Sequence, residues 1–144
     1  MKATLHEGGA FTDHRGTLRF VNEKAAGIYR RFYLITPADT KIVRAWQGHR
    51  QEQKAFYAIS GTFTVAVVSP GCFEEPGDDE IPGFFQLTAE NNQLLRVPGG
   101  CYTGIKALTP NATLLVLSDF GLAASKADDY RQPFHRWVDW DSIT

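Results

Sequence analysis

The chain has 144 residues, of which 43% are hydrophobic, 12% aromatic and 22% charged, a composition that fits a folded domain and excludes a disordered chain. Fifteen Lys and Arg against 16 Asp and Glu leave a net charge of −1, so the basic excess of a nucleic-acid binder is missing. No apolar run approaches the roughly 20 residues that span a bilayer, the start at Met1 lacks the apolar stretch of a secretory leader, and Cys72 and Cys101 form neither a disulfide framework nor a zinc spacing. The expectation is one domain over 1–144, cytoplasmic, with free thiols and with neither nucleic acid nor membrane as partner.

Turn signals come at short intervals along the chain: Gly8-Gly9, Gly16, Gly27, Pro37, Gly61, Pro70-Gly71, Pro76-Gly77, Pro82-Gly83, Pro98-Gly99-Gly100 and Pro110-Asn111. Between them lie runs rich in β-branched and aromatic residues, at 28–36, 55–59, 62–69, 93–97 and 113–118. Short strands punctuated this way predict an all-β sandwich or barrel. Phe63, Val65 and Val67 alternate with Thr62, Thr64 and Ala66, the period of a strand. Ser60-Gly61 reads as a hairpin corner, and 72–83 as an acidic loop. The tail changes character: 126–131 is expected to start a short helix or an arm. Trp137 and Trp140 are expected to bury against the outside of the barrel or a second subunit.

Two stretches carry chemistry. Residues 44–54, Arg-Ala-Trp-Gln-Gly-His-Arg-Gln-Glu-Gln-Lys, are crowded with polar groups yet feed an apolar strand. Polar residues at the mouth of a barrel strand line ligand cavities. A period of two puts Gln47, His49, Gln51 and Gln53 on one face, and His is the side chain suited to moving protons near neutral pH. The plain alternative is a surface histidine on a solvated edge strand. Residues 95–104 run a strand into a Pro-Gly-Gly turn that presents Tyr102 and Thr103. Here the plain alternative is a core tyrosine beside an ordinary turn.

Together these stretches resemble the two halves of the cupin signature, with Gln47, Gly48, His49, Glu52 and Gly61 matching the first and Pro98, Gly100 and Thr103 the second. Further pieces resemble the RmlC-like group of dTDP-4-dehydrorhamnose 3,5-epimerases and dTDP-4-keto-6-deoxyglucose 3,4-ketoisomerases. In order they are Asp13-His14-Arg15-Gly16, Arg31-Phe32-Tyr33, Arg44-Ala45-Trp46-Gln47-Gly48-His49, Ser60-Gly61, Pro98-Gly99-Gly100-Cys101-Tyr102-Thr103-Gly104 and Asp128-Asp129-Tyr130. The resemblance implies a double-stranded β-helix, or jelly-roll barrel, with a C-terminal arm or short helix. It also implies a homodimer and an isomerase or epimerase acting on a nucleotide-linked, dTDP-type 4-keto-6-deoxysugar. Only one of the three cupin histidine ligands survives, as His49, so no metal is expected. No Gly-rich phosphate loop leads into a helix, so no ATP or dinucleotide cofactor is expected either.

Shifting a keto group between neighbouring carbons needs a base, a donor at the developing enolate oxygen, and cations for the diphosphate. His49 is assigned as base, and Tyr33 or Tyr102 as phenolic donor. Lys54 polarises the ketone, Arg15 and Arg44 hold phosphate, and Gln47 and Gln53 are polar contacts to substrate. The family's usual base position carries Gln47, which cannot take a proton at neutral pH. Thr103 replaces the histidine of the second half. The competing reading is a non-catalytic sugar-nucleotide or carbohydrate-binding cupin that has lost the base.

Overall fold

Strand registers decide which side chains meet, and here they build two facing layers. A computed structural model describes residues 2–20 and 28–144; the turn expected at Gly27 lies outside them. Eleven strands precede the C-terminal arm: β1 Thr4–Glu7, β2 Gly9–Asp13, β3 Gly16–Phe20, β4 Arg31–Ile35, β5 Val43–His49, β6 Lys54–Ser60, β7 Thr62–Val68, β8 Gly83–Thr88, β9 Gln93–Val97, β10 Cys101–Ala107 and β11 Thr113–Ser118. The arm carries one helical turn, α1 Leu122–Lys126, a two-residue strand β12 Tyr130–Arg131, and a short 3-10 turn at Trp140–Ser142. Strands hold 48% of the residues and helix 6%, which bears out the all-β expectation.

Two five-stranded antiparallel sheets face each other, in the orders β1-β9-β6-β11-β4 and β12-β5-β10-β7-β8. The pair β2-β3 forms a separate hairpin. Period-two alternation sends Phe56, Leu95, Leu114 and Val116 of the first sheet inward to meet Phe63, Val65, Val67 and Ile105 of the second. Their outward neighbours differ between the layers. On the first sheet Phe32 (67% accessible) and Leu34 (54%) face away from the core. On the second, the arm covers the outer face: Trp46, Ala66, Val68 and Tyr102 bury against Val138 and Trp140.

The glycines on that outer face are required by close approach. A Cβ at Gly48 would run into the Tyr102 ring, and one at Gly104 into the Trp140 indole. Each indole N–H finds a carbonyl, Trp137 that of Gly77 and Trp140 that of Phe134, both at 2.7 Å. The two tryptophans therefore cover this chain's own barrel. The helix sits earlier than expected, at 122–126, and 130–131 pair with β5 as a strand. Asp128 and Asp129 fall between them because their groups are spent on the β5–β6 turn and on Arg131.

Candidate active site

Pairing fixes the walls of one cavity. Across the first sheet, Arg31, Ser118 and Lys54 stand opposite one another on β4, β11 and β6. Across the second, Arg131, Gln47 and Thr103 do the same on β12, β5 and β10. Directly opposed residues share a face, so both rows point into the space between the layers. That space is a cavity of about 700 Å³, lined among others by Arg31, Tyr33, Arg44, Gln47, Lys54, Thr103, Ser125, Lys126, Asp129 and Arg131. Arg44 enters by an irregularity: Gln47 opposes Thr103 while Arg44 opposes Ile105, so β5 carries one extra residue there. The bulge turns Arg44 to the face that strict alternation would deny it.

One hydrogen-bonded chain crosses the cavity floor. The Lys54 ammonium donates to Tyr33 Oη and to Gln47 Oε1, each at 3.1 Å. Gln47 Nε2 then donates to Asp129 Oδ1 at 3.4 Å. The Arg131 guanidinium, and after it the Gln47 amide, hold the Asp129 carboxyl below the usual carboxylate range. Five cations (Arg31, Arg44, Lys54, Lys126 and Arg131) thus surround one carboxylate, Asp129, in the lining.

His49 lies one layer behind. It is 5% accessible and borders a void of about 10 Å³ walled by Glu52, Lys54, Val97, Pro98, Cys101 and Thr103. Lys54 and Thr103 border both spaces and so form the partition between them. His49 Nδ1 lies 2.6 Å from the Asp128 carbonyl oxygen. A carbonyl only accepts, so Nδ1 carries the proton and Nε2 the lone pair. Nε2 is buried without a hydrogen-bond partner. Burial, and then the Lys54 ammonium, hold this imidazole below its ordinary value of 6.5. Asp128 also braces the turn that carries the ring: its carboxylate accepts from the backbone N–H of Arg50, Gln51 and Glu52 at 2.8–2.9 Å.

Of the residues singled out from sequence, Tyr33, Arg44, Gln47 and Lys54 meet in the cavity, with His49 behind its wall. Three do not meet there. Tyr102 points to the opposite face, opposite Gly48, because it neighbours inward Thr103 on one strand. Its ring stacks on Phe73 at 4.8 Å between centroids and its hydroxyl donates to the Phe73 carbonyl. Gln53 sits in the β5–β6 turn outside the cavity, accepting from Arg96. Arg15 stands on the β2–β3 hairpin, its side chain 78% accessible and paired with Asp13 at 2.8 Å. Not assigned to the site from sequence were Arg31 and the arm residues Ser125, Lys126, Asp129 and Arg131, although Arg31 and Asp129 lie in stretches matched to the family pattern. Arg31 stands two positions before Tyr33 on one strand and so shares its face; the arm itself was expected over 126–131, but nothing local says that its side chains reach the cavity. Among the described residues no group of three or more His, Cys, Asp or Glu is arranged to hold a metal, and no helix is long and apolar enough to cross a membrane.

No protein-family model matches the chain. One curated protein, Probable low-salt glycan biosynthesis epimerase Agl13 of Haloferax volcanii, is 29% identical over 104 residues, 69% of this chain and 60% of that protein. The chain therefore matches less than two thirds of that relative's length. Among solved structures, a dTDP sugar isomerase from Desulfovibrio desulfuricans superposes with a TM-score of 0.76 at 18% identity, covering 99% of this chain and 92% of that one. The rmlC epimerase of Mycobacterium tuberculosis gives 0.76 at 16% identity over 96% and 74% of the two chains. QdtA, a sugar 3,4-ketoisomerase from Thermoanaerobacterium thermosaccharolyticum in complex with TDP, gives 0.72 at 18% identity over 94% and 92%. The two facing sheets and these likenesses agree on the fold: the chain is a double-stranded β-helix barrel, folded like these proteins.

Proposed function

We propose that the protein is an isomerase or epimerase of a nucleotide-linked 4-keto-6-deoxysugar, of the dTDP type, working by proton abstraction beside the ketone. The observation that carries the reading is the cation-rich cavity with an uncharged lone pair, His49 Nε2, behind its wall. Guanidinium and ammonium groups at the rim match a diphosphate. Related folds support the substrate class: a mutant of QdtA has been captured with TDP-4-keto-6-deoxyglucose, and ChmJ, a 3'-monoepimerase, with dTDP-quinovose.

In this reading Arg44, with Lys126 and Arg131, takes the diphosphate. The keto oxygen lies against the Tyr33 hydroxyl and the Lys54 ammonium. A C–H bond on the neighbouring carbon breaks, and its proton passes to His49 Nε2, which comes within reach when bound substrate displaces the Lys54 and Thr103 side chains that part the ring from the cavity. The electron pair moves to the keto oxygen, which Lys54 and Tyr33 stabilise or protonate, giving an enediol. Return of a proton to the other carbon, with loss of the hydroxyl proton on the first, moves the ketone; return to the opposite face of the same carbon, with loss of the enol proton, inverts it. Gln47 serves as a hydrogen-bonding strut for Lys54 and carries no proton. Tyr102 and Gln53 have no part in this scheme.

We further propose a homodimer. The outer face of the first sheet, with Phe32 and Leu34 on its edge strand β4, is the kind of exposed apolar surface that a partner covers. Arg15, on the free hairpin, enters substrate binding only through such a second subunit. The reaction is tested by incubating the protein with TDP-4-keto-6-deoxyglucose and following the sugar ring by proton NMR. A 3-keto isomer or a C3 or C5 epimer is expected. Unchanged substrate across several nucleotide-linked keto sugars contradicts the reading and leaves a binding protein.

A further inference from the structure

We infer that Glu52 is a positioning residue that backs the His49 ring on its Nδ1 side, supports the orientation that the Asp128 carbonyl gives it with the Nε2 lone pair free, and stabilises the ring once it is protonated. The inference rests on the proposal that His49 accepts the substrate proton. Glu52 plays no part in lining the cavity, and its side chain is fully buried. Three donors converge on its carboxylate, with the His49 ring beside them. The Ser125 hydroxyl donates to Oε1 and the Ser118 hydroxyl to Oε2, both at 2.6 Å. Arg31 Nη2 donates to Oε2 at 3.3 Å, and His49 Nδ1 stands 3.4 Å from Oε1.

These four groups come from four separate elements, β4, β5, β11 and α1, gathered at one end of the barrel. Two hydroxyls and a guanidinium satisfy the oxygens of an ionised carboxylate, which is otherwise costly to bury. A buried ion pair is a weak source of stability, because well-packed apolar residues do as well or better. What the carboxylate supplies that an apolar residue cannot is negative potential at Nδ1. It adds to the Asp128 carbonyl, which already fixes the tautomer at 2.6 Å.

The ring is faced from every side by groups of known sign. Glu52 and the Asp128 carbonyl and carboxylate lie toward Nδ1, Lys54 of β6 and the Cys101 thiol of β10 border the void, and Asp129 approaches from the arm. Burial and Lys54 disfavour the imidazolium, whereas Asp128 and Glu52 favour it. Without Glu52 one of the groups that favour the imidazolium is lost, and the ring becomes a weaker base still. An anion within about 4–6 Å typically moves such a titration by one to three units.

The test uses the full chain labelled with 15N-histidine. Long-range proton–nitrogen correlation spectra read the tautomer and titration midpoint of His49, identified by its absence in His49→Asn. Wild type should show Nδ1–H, and Glu52→Gln, which keeps the shape and most hydrogen bonds, should lower the midpoint by about one pH unit or more. The acid limb of deuterium exchange into the keto sugar should move down by the same amount. A wild-type ring protonated on Nε2 overturns the inference even if Glu52→Gln does not fold, and so does a midpoint that Glu52→Gln leaves in place. If the midpoint moves but wild type exchanges no deuterium, the positioning of the ring stands and the isomerase reading fails.

Discussion

The Tyr33 hydroxyl accepts a hydrogen bond from the Lys54 ammonium at 3.1 Å, and the two reach the cavity from strands on either side of β11. An ammonium donating to a phenol is suited to hold negative charge arriving on a ketone oxygen between them. Lys54→Met should lower kcat by about 10²–10³, the usual worth of one such donor, with a smaller change in KM. The same variant removes a cation beside His49, so the imidazole titration should rise. Steady-state kinetics and histidine NMR check both; an unchanged kcat contradicts the role given to Lys54.

Stability should carry a pH signature from His49. Its folded-state pKa lies below the ordinary 6.5, through burial and Lys54. Between the two values the unfolded chain binds more protons than the folded one, so stability rises with pH there and is lost as pH falls through that window. Thermal melts from pH 8 downward should show the loss beginning near the ordinary value, about 6.5, and His49→Asn should flatten it. A slope in His49→Asn equal to that of wild type contradicts the assignment.

Gly48 packs flat beneath the Tyr102 ring on the outer face. Gly48→Ala must push that ring off its stack with Phe73, and should cost about 1–3 kcal/mol, the range for overpacking. Chemical denaturation measures it; a loss under a few tenths of a kcal/mol contradicts the close approach.

The outer face of the first sheet bears on assembly. Light scattering should give wild type the mass of two chains, and Phe32→Glu combined with Leu34→Glu the mass of one. A wild-type monomer at micromolar concentration contradicts the dimer.

Local periodicity carried the reading of sequence as far as it reaches and no farther. Strands such as 93–97 and 113–118 were legible because alternation and turn residues agree over a few positions. So was the inward pairing of Gln47 and His49. The same rule, applied strictly, separates Tyr102 from Thr103: neighbours on a strand face opposite ways, and Tyr102 therefore belongs to the aromatic cluster under the arm. Arg44 escapes the rule because a bulge is a property of two paired strands. Asp128, Asp129 and Arg131 act 76 to 84 residues away from the groups they meet, a relation that no window of sequence contains. The burial of Glu52 is equally non-local, since its hydroxyl partners Ser118 and Ser125 lie 66 and 73 residues on.

The central claim is that His49 receives a proton from a sugar carbon beside the ketone. It is tested most directly by incubating wild type and His49→Asn with TDP-4-keto-6-deoxyglucose in heavy water and timing deuterium entry at the carbons flanking the carbonyl. The account predicts exchange in wild type and a rate lower by about 10²–10⁴ in His49→Asn, the usual contribution of one general base. Equal rates in the two proteins would contradict it.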